Sequence, residues 1–233
     1  VTSPPTLQLT VILLGPPASG KSTLSRQLVD RCNARLFRLR EYVQSLSEAG
    51  SAALDGTSRD SLGWLPDEVA IQLVHDAVSG PYRPADTPVV FEGYPGNGLQ
   101  ARHLADLLIR LDTPVTAIHL RADWPTAQQR AQLRWVCRHC EPASTGHPHR
   151  PAQATATSAC ASCGNTLLKR QDDAPERLLA RTQRFTTCLP EIYTALTGHG
   201  IPWRTIDSRH PADEVLSAAL DAVSTSPSTR SGQ

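Results

Sequence analysis

The chain has 233 residues, a formal net charge of +1 and 39% hydrophobic residues, enough for one good core with small inserted lobes but not for two large domains. Near-neutral charge argues against a nucleic-acid or membrane surface as main partner, no run of eighteen apolar residues marks a membrane span, and VTSPPTLQLT lacks a secretory pattern. A cytoplasmic protein is expected. Six Cys, four of them in two CxxC pairs, suggest a metal rather than disulfides.

In chain order, LQLTVILL (7–14) reads as a buried strand, and Leu24, Leu28, Val29 and Cys32 follow at helical spacing. Residues 38–80 read as mostly helical, with Pro-Asp-Glu at 66–68 opening VAIQLVHDAV. PVVFE (88–92) is a second strand, followed by a helix carrying Leu104, Leu107, Leu108 and Leu111. PVTAIHL (114–120) precedes WPTAQQRAQLRW, and IPWRTID (201–207) precedes PADEVLSAALDAV. Strands alternating with helices predict an α/β fold: a parallel sheet covered on both faces. Residues 38–80 and 136–171 break the rhythm and read as insertions into one core, and STSPSTRSGQ reads as a disordered tail.

Gly15 to Ser22, GPPASGKS, satisfies GxxxxGK[ST] between a predicted strand and a predicted helix. Backbone amides of such a loop cradle phosphates, Lys21 would reach the terminal phosphates, and the Ser22 hydroxyl would bind Mg²⁺. A chance Gly-rich turn is the bland alternative, and the strand-loop-helix context argues against it. Glu92 ends the second strand, where a neighbouring strand's carboxyl end faces the phosphate loop, so it can hold a metal-bound water; otherwise it is a solvated acid.

Cys137-x-x-Cys140 and Cys160-x-x-Cys163 have the spacing of a closed tetrahedral zinc site. His139, His147 and His149 could compete as ligands but read as solvent-facing, while Cys32 and Cys188 fall at apolar helical positions. Arg130 and Arg134, four apart, would share one helix face, with Arg170 and Arg181 beyond the cysteine insert; a solvated basic face is the plain alternative. Asp173 and Glu176 around Pro175 also fit a capping box.

Taken together, GPPASGKST, GWLPDEV, FEGYP, the two CxxC pairs, RQDDAPERLLAR and IDSRHPADEV resemble the adenylate kinase family, in its zinc-containing long-lid form, from about Leu9 to Val223. The resemblance implies a P-loop NTPase-type five-stranded parallel sheet formed by 7–37, 81–124 and 172–224, an acceptor lobe at 38–80, a zinc-ribbon lid at 125–171, and tails at 1–6 and 225–233. It implies transfer of the γ-phosphoryl of Mg·ATP to a nucleoside monophosphate, AMP first, by a monomer.

By position, the resemblance places Lys21, Arg130, Arg134, Arg170 and Arg181 around the transferring phosphoryl and pairs Asp172 and Asp173 with those arginines. Gly15, Pro17, Ala18, Ser19, Gly20, Lys21, Ser22 and Thr23 would bind ATP, with Arg130 stacking on its adenine and His210 and Ala212 contacting that base. Ser22 and Glu92 would hold magnesium, Glu92 through water. On the acceptor side, Leu65, Gly93 and Gln100 keep the pattern, Gln100 as reader of the acceptor base, and Arg170 and Arg181 also face the acceptor. Two phosphate-gripping arginines of the family are absent: their positions hold Val43 and Gly96. Arg38 and Arg40 stand nearby as replacements, with Arg102 a third candidate. That departure opens two alternatives, the same chemistry on a non-standard small-molecule acceptor, or an ATP-binding sensor without turnover.

Overall fold

A computed structural model describes residues 9–49, 56–140 and 151–224. The tails expected at 1–6 and 225–233, and His147 and His149, lie outside the described residues.

A single parallel sheet organises the chain. Its strands are β1 (Thr10–Leu14), β2 (Arg35–Phe37), β3 (Val89–Glu92), β4 (Val115–Arg121) and β5 (Trp203–Asp207), in the order β2-β3-β1-β4-β5. Every residue of TVILL is buried, as a central strand covered on both faces requires. Alternation sorts its side chains: Val11 and Leu13 enter one core cluster, Ile12 and Leu14 the other. The first cluster is covered by α1 (Lys21–Cys32) and α7 (Ala212–Ser224), through Leu24, Leu28, Leu216 and Val223. The second lies under α3 (Asp67–Ser79), α4 (Gly98–Arg110) and α6 (Pro175–Gly198), through Val74, Leu104, Leu108 and Ile192. Helices α2 (Leu39–Glu48) and α5 (Trp124–Leu133) complete the set. The five-stranded P-loop sheet expected from the resemblance is therefore present.

Connectivity creates the site. The chain leaves β1 for α1 and β2, then returns through β3, so β1 lies between β3 and β4, and its carboxyl end opens where the strand order reverses. Leu13 pairs with Glu92, which places the β3 carboxylate beside the loop after β1. Strand β2 is only three residues long, and its sequence RLF carries no alternation long enough to mark it.

Beyond α5, the ribbon is built from short antiparallel bridges, Val136 with Leu168, Ala154 with Cys160 and Ala159 with Thr166. Its apolar centre is Cys137, Cys160 and Leu167. A lobe this small buries little apolar surface, so a cross-link of some kind must carry much of its stability.

Candidate active site

The phosphate loop is shaped by backbone conformation. Gly15 has φ +155, and a Cβ there would meet Ser19 Oγ at 2.6 Å and the Leu120 carbonyl at 2.8 Å, so only glycine fits. Ala18 and Gly20 take left-handed φ of 59 and 94, turning successive amides toward one concavity. Helix α1 starts at Lys21, and although Thr23 N–H turns back to the Gly20 carbonyl, the helix N-terminus opens on an anion-binding position. Ser19 Oγ is buried with no hydrogen-bond partner. Pro17, Ala18, Gly20, Lys21, Ser22 and Thr23 all line a cavity of about 220 Å³.

Lys21 Nζ donates to the Gly15 and Pro16 carbonyls at 2.7 Å each, curling over the loop. Burial lowers its pKa to about 7; Glu92 opposes the shift, and Arg181, Arg134 and Arg170 add to it. Of the foreseen cations, Arg134, Arg170 and Arg181 converge on the lysine, whereas Arg130 turns to Ser208 and does not.

Two buried acids organise those cations. Arg134 donates from Nε and Nη2 to the two oxygens of Asp173, at 2.8 and 2.5 Å. Asp172, 3% exposed, is approached by Arg181 at 3.0 Å, Arg40 at 3.1 Å, Arg177 at 3.5 Å and Arg170 at 3.7 Å. Burial alone would raise its pKa, yet Arg181, Arg40 and Arg170 bring it down to about 2. Burial and the neighbouring Arg134 press the other way on Arg170, whose pKa falls to about 10. Positive charge is in surplus here.

Glu92 is buried and fully engaged. Oε1 accepts from Ser22 Oγ at 2.5 Å, while Oε2 accepts from Ser25 Oγ at 2.6 Å and from Arg38 Nε at 2.8 Å. Although burial pushes its pKa up, Arg38 and the two serines hold it below the usual carboxylate range. An ionised oxygen beside the Ser22 hydroxyl is a donor set suited to a hard divalent cation.

A second hollow of about 360 Å³ shares Ala18, Gly20, Thr23 and Arg134 with the first and is bordered beyond them by Arg130, Ser208, His210, Ala212 and Val215. Arg130 donates to the Ser208 carbonyl at 2.5 Å. His210 lies against Glu214 at 3.3 Å.

Four expectations are corrected. Arg130 and Arg134 do not share a helix face: α5 ends at Leu133, and Arg134, its C-cap with ψ 127, swings to Asp173 instead of Ser208. Asp173 and Glu176 form no capping box, because Asp173 is taken by Arg134 and Ala174 occupies the N-cap without a side-chain bond. Arg38 is no free phosphate grip, being buried between Glu92 and Glu41. Arg102 lies on the exposed side of α4, away from the residues lining the cavity.

Leu65 and Gly93 line the cavity. Gln100 lines it too, but its amide is committed: Oε1 accepts from Gly96 N–H at 2.8 Å and Nε2 donates to Asp67 at 2.7 Å. Val43 is buried at the same wall. Sequence reasoning missed Arg59, Trp64, Ser25 and Ser208 here. Trp64 lay inside the GWLPDEV motif, where an aromatic beside a turn glycine was the available signal.

The four ribbon cysteines come together, all Sγ atoms within 4.8 Å of one another. Cys137 and Cys163 are 3.5 Å apart and Cys140 and Cys160 3.6 Å, near the roughly 3.8 Å edge of a tetrahedron with zinc–sulfur bonds of about 2.3 Å. The donor set fits zinc. His139 is exposed, and no histidine joins the metal-compatible cluster among the described residues.

Fold and phosphate loop define a P-loop protein built to bind a nucleoside triphosphate. No family model matches the sequence. Over almost its whole length, however, the chain is similar to curated adenylate kinases. It is 29% identical to that of Erythrobacter litoralis over 221 residues, covering 92% of this chain and 99% of the relative. The Streptomyces coelicolor adenylate kinase is 29% identical over 224 residues, covering 91% and 97%, and that of Symbiobacterium thermophilum 27% over 221, covering 91% and 97%. The resemblance to the adenylate kinase family thus extends across the core, and the chain is an ATP-dependent phosphotransferase of the nucleoside monophosphate kinase type.

Proposed function

We propose that the protein transfers the γ-phosphoryl of ATP to the phosphate of a nucleoside monophosphate, AMP being the first candidate. One observation carries the reading: Lys21, Arg134, Arg170 and Arg181 all line the one cavity beside the phosphate loop. Such crowding costs stability and is useful only where an anion with spreading charge has to be held.

In this reading the acceptor's phosphate oxygen attacks the γ-phosphorus, the bond from that phosphorus to the β,γ-bridging oxygen breaks, and ADP leaves with the electron pair. The acceptor phosphate is already ionised near neutral pH, so no general base is required. Lys21 and the amides of Ala18 to Ser22 position the donor phosphates. Arg134, Arg170 and Arg181 stabilise the equatorial oxygens, exchanging their hold on Asp172 and Asp173 for the phosphoryl. Ser22 and Glu92 Oε1 would hold magnesium, which screens the β- and γ-phosphate charge when bound. Arg130, His210 and Ala212 border the donor base, and Leu65, Gly93 and Gln100 the acceptor. Residues 38–80 act as acceptor lobe and 125–171 as lid, pinned by zinc on Cys137, Cys140, Cys160 and Cys163.

A non-standard acceptor is the second reading, favoured by Val43 and Gly96 standing where phosphate-gripping arginines were expected. Arg40 and Arg59, which flank Val43 at the cavity wall, are the available replacements. A panel of nucleoside monophosphates, nucleosides and sugar phosphates with Mg·ATP, read as ADP plus phosphorylated product, decides. Turnover with a monophosphate supports the first reading, turnover only with another class supports the second, and ATP binding without any product identifies a sensor.

A further inference from the structure

Arg38 is only 7% exposed, a rare place for a guanidinium, and sheet register put it there. It follows β2 directly as the N-cap of α2. Phe37 at the end of β2 pairs with Phe91 of β3, so the next residue along each strand, Arg38 and Glu92, comes to the same level on the same face. Burying an arginine is costly unless an acid pairs with it, and Glu92 is that acid.

The pairing is lopsided. Oε2 of Glu92 accepts from Ser25 Oγ at 2.6 Å and from Arg38 Nε at 2.8 Å, while Arg38 Nη2 lies 2.7 Å from the same oxygen, off the line of a hydrogen bond. Two donors fill the two lone pairs of Oε2. Among the described residues Oε1 accepts from Ser22 Oγ alone, at 2.5 Å, and so keeps one acceptor site. Ser22 belongs to the first turn of α1, and it lines the cavity together with Glu92. The carboxylate thus gives one oxygen to the protein and turns the other toward the phosphate loop.

On its far side the guanidinium is anchored as well, Nη1 donating to Glu41 Oε1 at 2.8 Å. Arg38 is therefore a fixed peg against which Glu92 rests. Without it the described partners of the carboxylate would be the Ser22 and Ser25 hydroxyls, whose hydrogens rotate to follow the acid instead of fixing it.

We propose that Arg38 is a positioning residue for the metal site: by occupying Oε2 of Glu92 it holds Oε1 beside the Ser22 hydroxyl, so that a divalent cation arriving with ATP meets one carboxylate oxygen at a set place. The proposal rests on the reading that Ser22 and Glu92 hold magnesium. Partners that fix a metal-binding side chain from behind typically set metal affinity by about 10- to 100-fold. The sign of the effect is diagnostic. By charge alone, removing a cation from beside the acid would tighten metal binding, so loosening reports lost position.

The test is Mn²⁺ binding, followed by electron paramagnetic resonance, to the full chain saturated with a non-hydrolysable ATP analogue. Wild type is compared with Arg38→Met, Arg38→Lys, Glu92→Gln and the double variant Arg38→Met with Glu92→Gln. Arg38→Met should loosen Mn²⁺ by about 10- to 100-fold, and Arg38→Lys, with one donor group in place of the fork, should fall between it and wild type. In the Glu92→Gln background Arg38→Met should add less than about threefold, because it acts through that carboxylate. If circular dichroism shows Arg38→Met unfolded, Arg38→Lys is read in its place, with a loss above about threefold expected when Glu92 is present and none when it is Gln. Mn²⁺ binding that is unchanged or tighter in folded Arg38→Met, or an equal loss with and without Glu92, overturns the proposal. Should Glu92→Gln itself leave Mn²⁺ affinity unchanged, the magnesium reading fails and this one with it; should Glu92→Gln loosen the ion and Arg38→Met not, only this one fails.

Discussion

The two halves of the cavity are built on opposite principles. On the donor side, almost every polar atom belongs to backbone or to a cation held at a fixed place by a buried acid, so the half is a preformed mould for phosphates. On the acceptor side Arg38 is held by Glu92 and Arg40 by Asp172, and Arg59 stands at a wall otherwise made by Val43, Leu65 and Trp64. One half reads charge; the other offers shape. Transfer between two phosphates demands charge in the middle, where the halves meet, and the Asp172 cluster lies there, touching Arg40 from α2 and Arg181 from α6.

The sharpest way to break that contrast is to disarm the donor half. Lys21→Ala and Arg134→Ala should each cut kcat by at least about 10²-fold with the best acceptor, because each removes a contact that strengthens as charge spreads over the phosphoryl. Steady-state kinetics that leave either variant near wild-type turnover would show that the preformed mould is not the catalytic half.

Next in size is the ribbon, whose cysteines form a closed donor set. Purified protein should carry about one zinc per chain, and Cys160→Ser should lose the metal and melt the ribbon at lower temperature while sheet and phosphate loop stay folded. Metal analysis finding none in reduced, chelator-free protein would dissolve the assignment.

A third substitution addresses the acceptor half. Arginine at position 96 looks like a repair, but its Cβ would strike Trp64 at 2.2 Å, and the ring is pinned by Arg184 and Asp60. Gly96→Arg should therefore raise the KM for AMP, by about tenfold if the indole loses its place, instead of lowering it. A lowered KM would mean that this half also reads charge and lacks only the cation.

The smallest effect is a fraction of a proton. Lys21 with its pKa at about 7 is partly neutral at physiological pH, and a bound triphosphate supplies the negative charge that raises it toward its ordinary value of 10.5. Binding ATP should take up protons between about pH 7 and 9, and affinity should fall as pH rises through that window. Calorimetry in buffers of different ionisation heat checks the sign; proton release at pH 8 would refute it. The same lowered pKa makes folding of the free protein gain stability as pH rises from about 7 toward 10, since the unfolded chain then holds the extra proton.

What sequence made legible was what local spacing encodes. The loop Gly15–Ser22 needs its neighbours only, as do the paired cysteines and the buried TVILL. Contacts made across the fold were not legible: Arg38 meets Glu92 54 residues away, Arg40 meets Asp172 132 residues away, and Trp64 meets Gly96 from another element. Arg38, Arg40 and Gln100 could be placed at the cavity by position, yet their partners could not, and the partners decide what they can still bind. Helix ends failed for a related reason. Asp173 has the residue type and spacing of a cap, but Arg134, 39 residues back at the end of α5, offers its carboxylate a stronger bond.

Helix α6 carries Arg177, Arg181 and Arg184 within two turns, the first two meeting Asp172 and the last meeting Asp60 and Trp64. It is also seated tightly on α4, where a Cβ at Gly98 would come within 2.7 Å of Glu191 Cβ, and Ile192 anchors it in the core beneath the sheet. That rod works as a camshaft: its arginines are lobes at fixed angles, and both the turn that presents Trp64 and the Asp172 hub of buried cations ride on it. Whatever displaces Asp60 shifts load onto the same axle that sets Arg181, so the timing of the two ends is cut into one piece of secondary structure rather than passed along a chain of contacts.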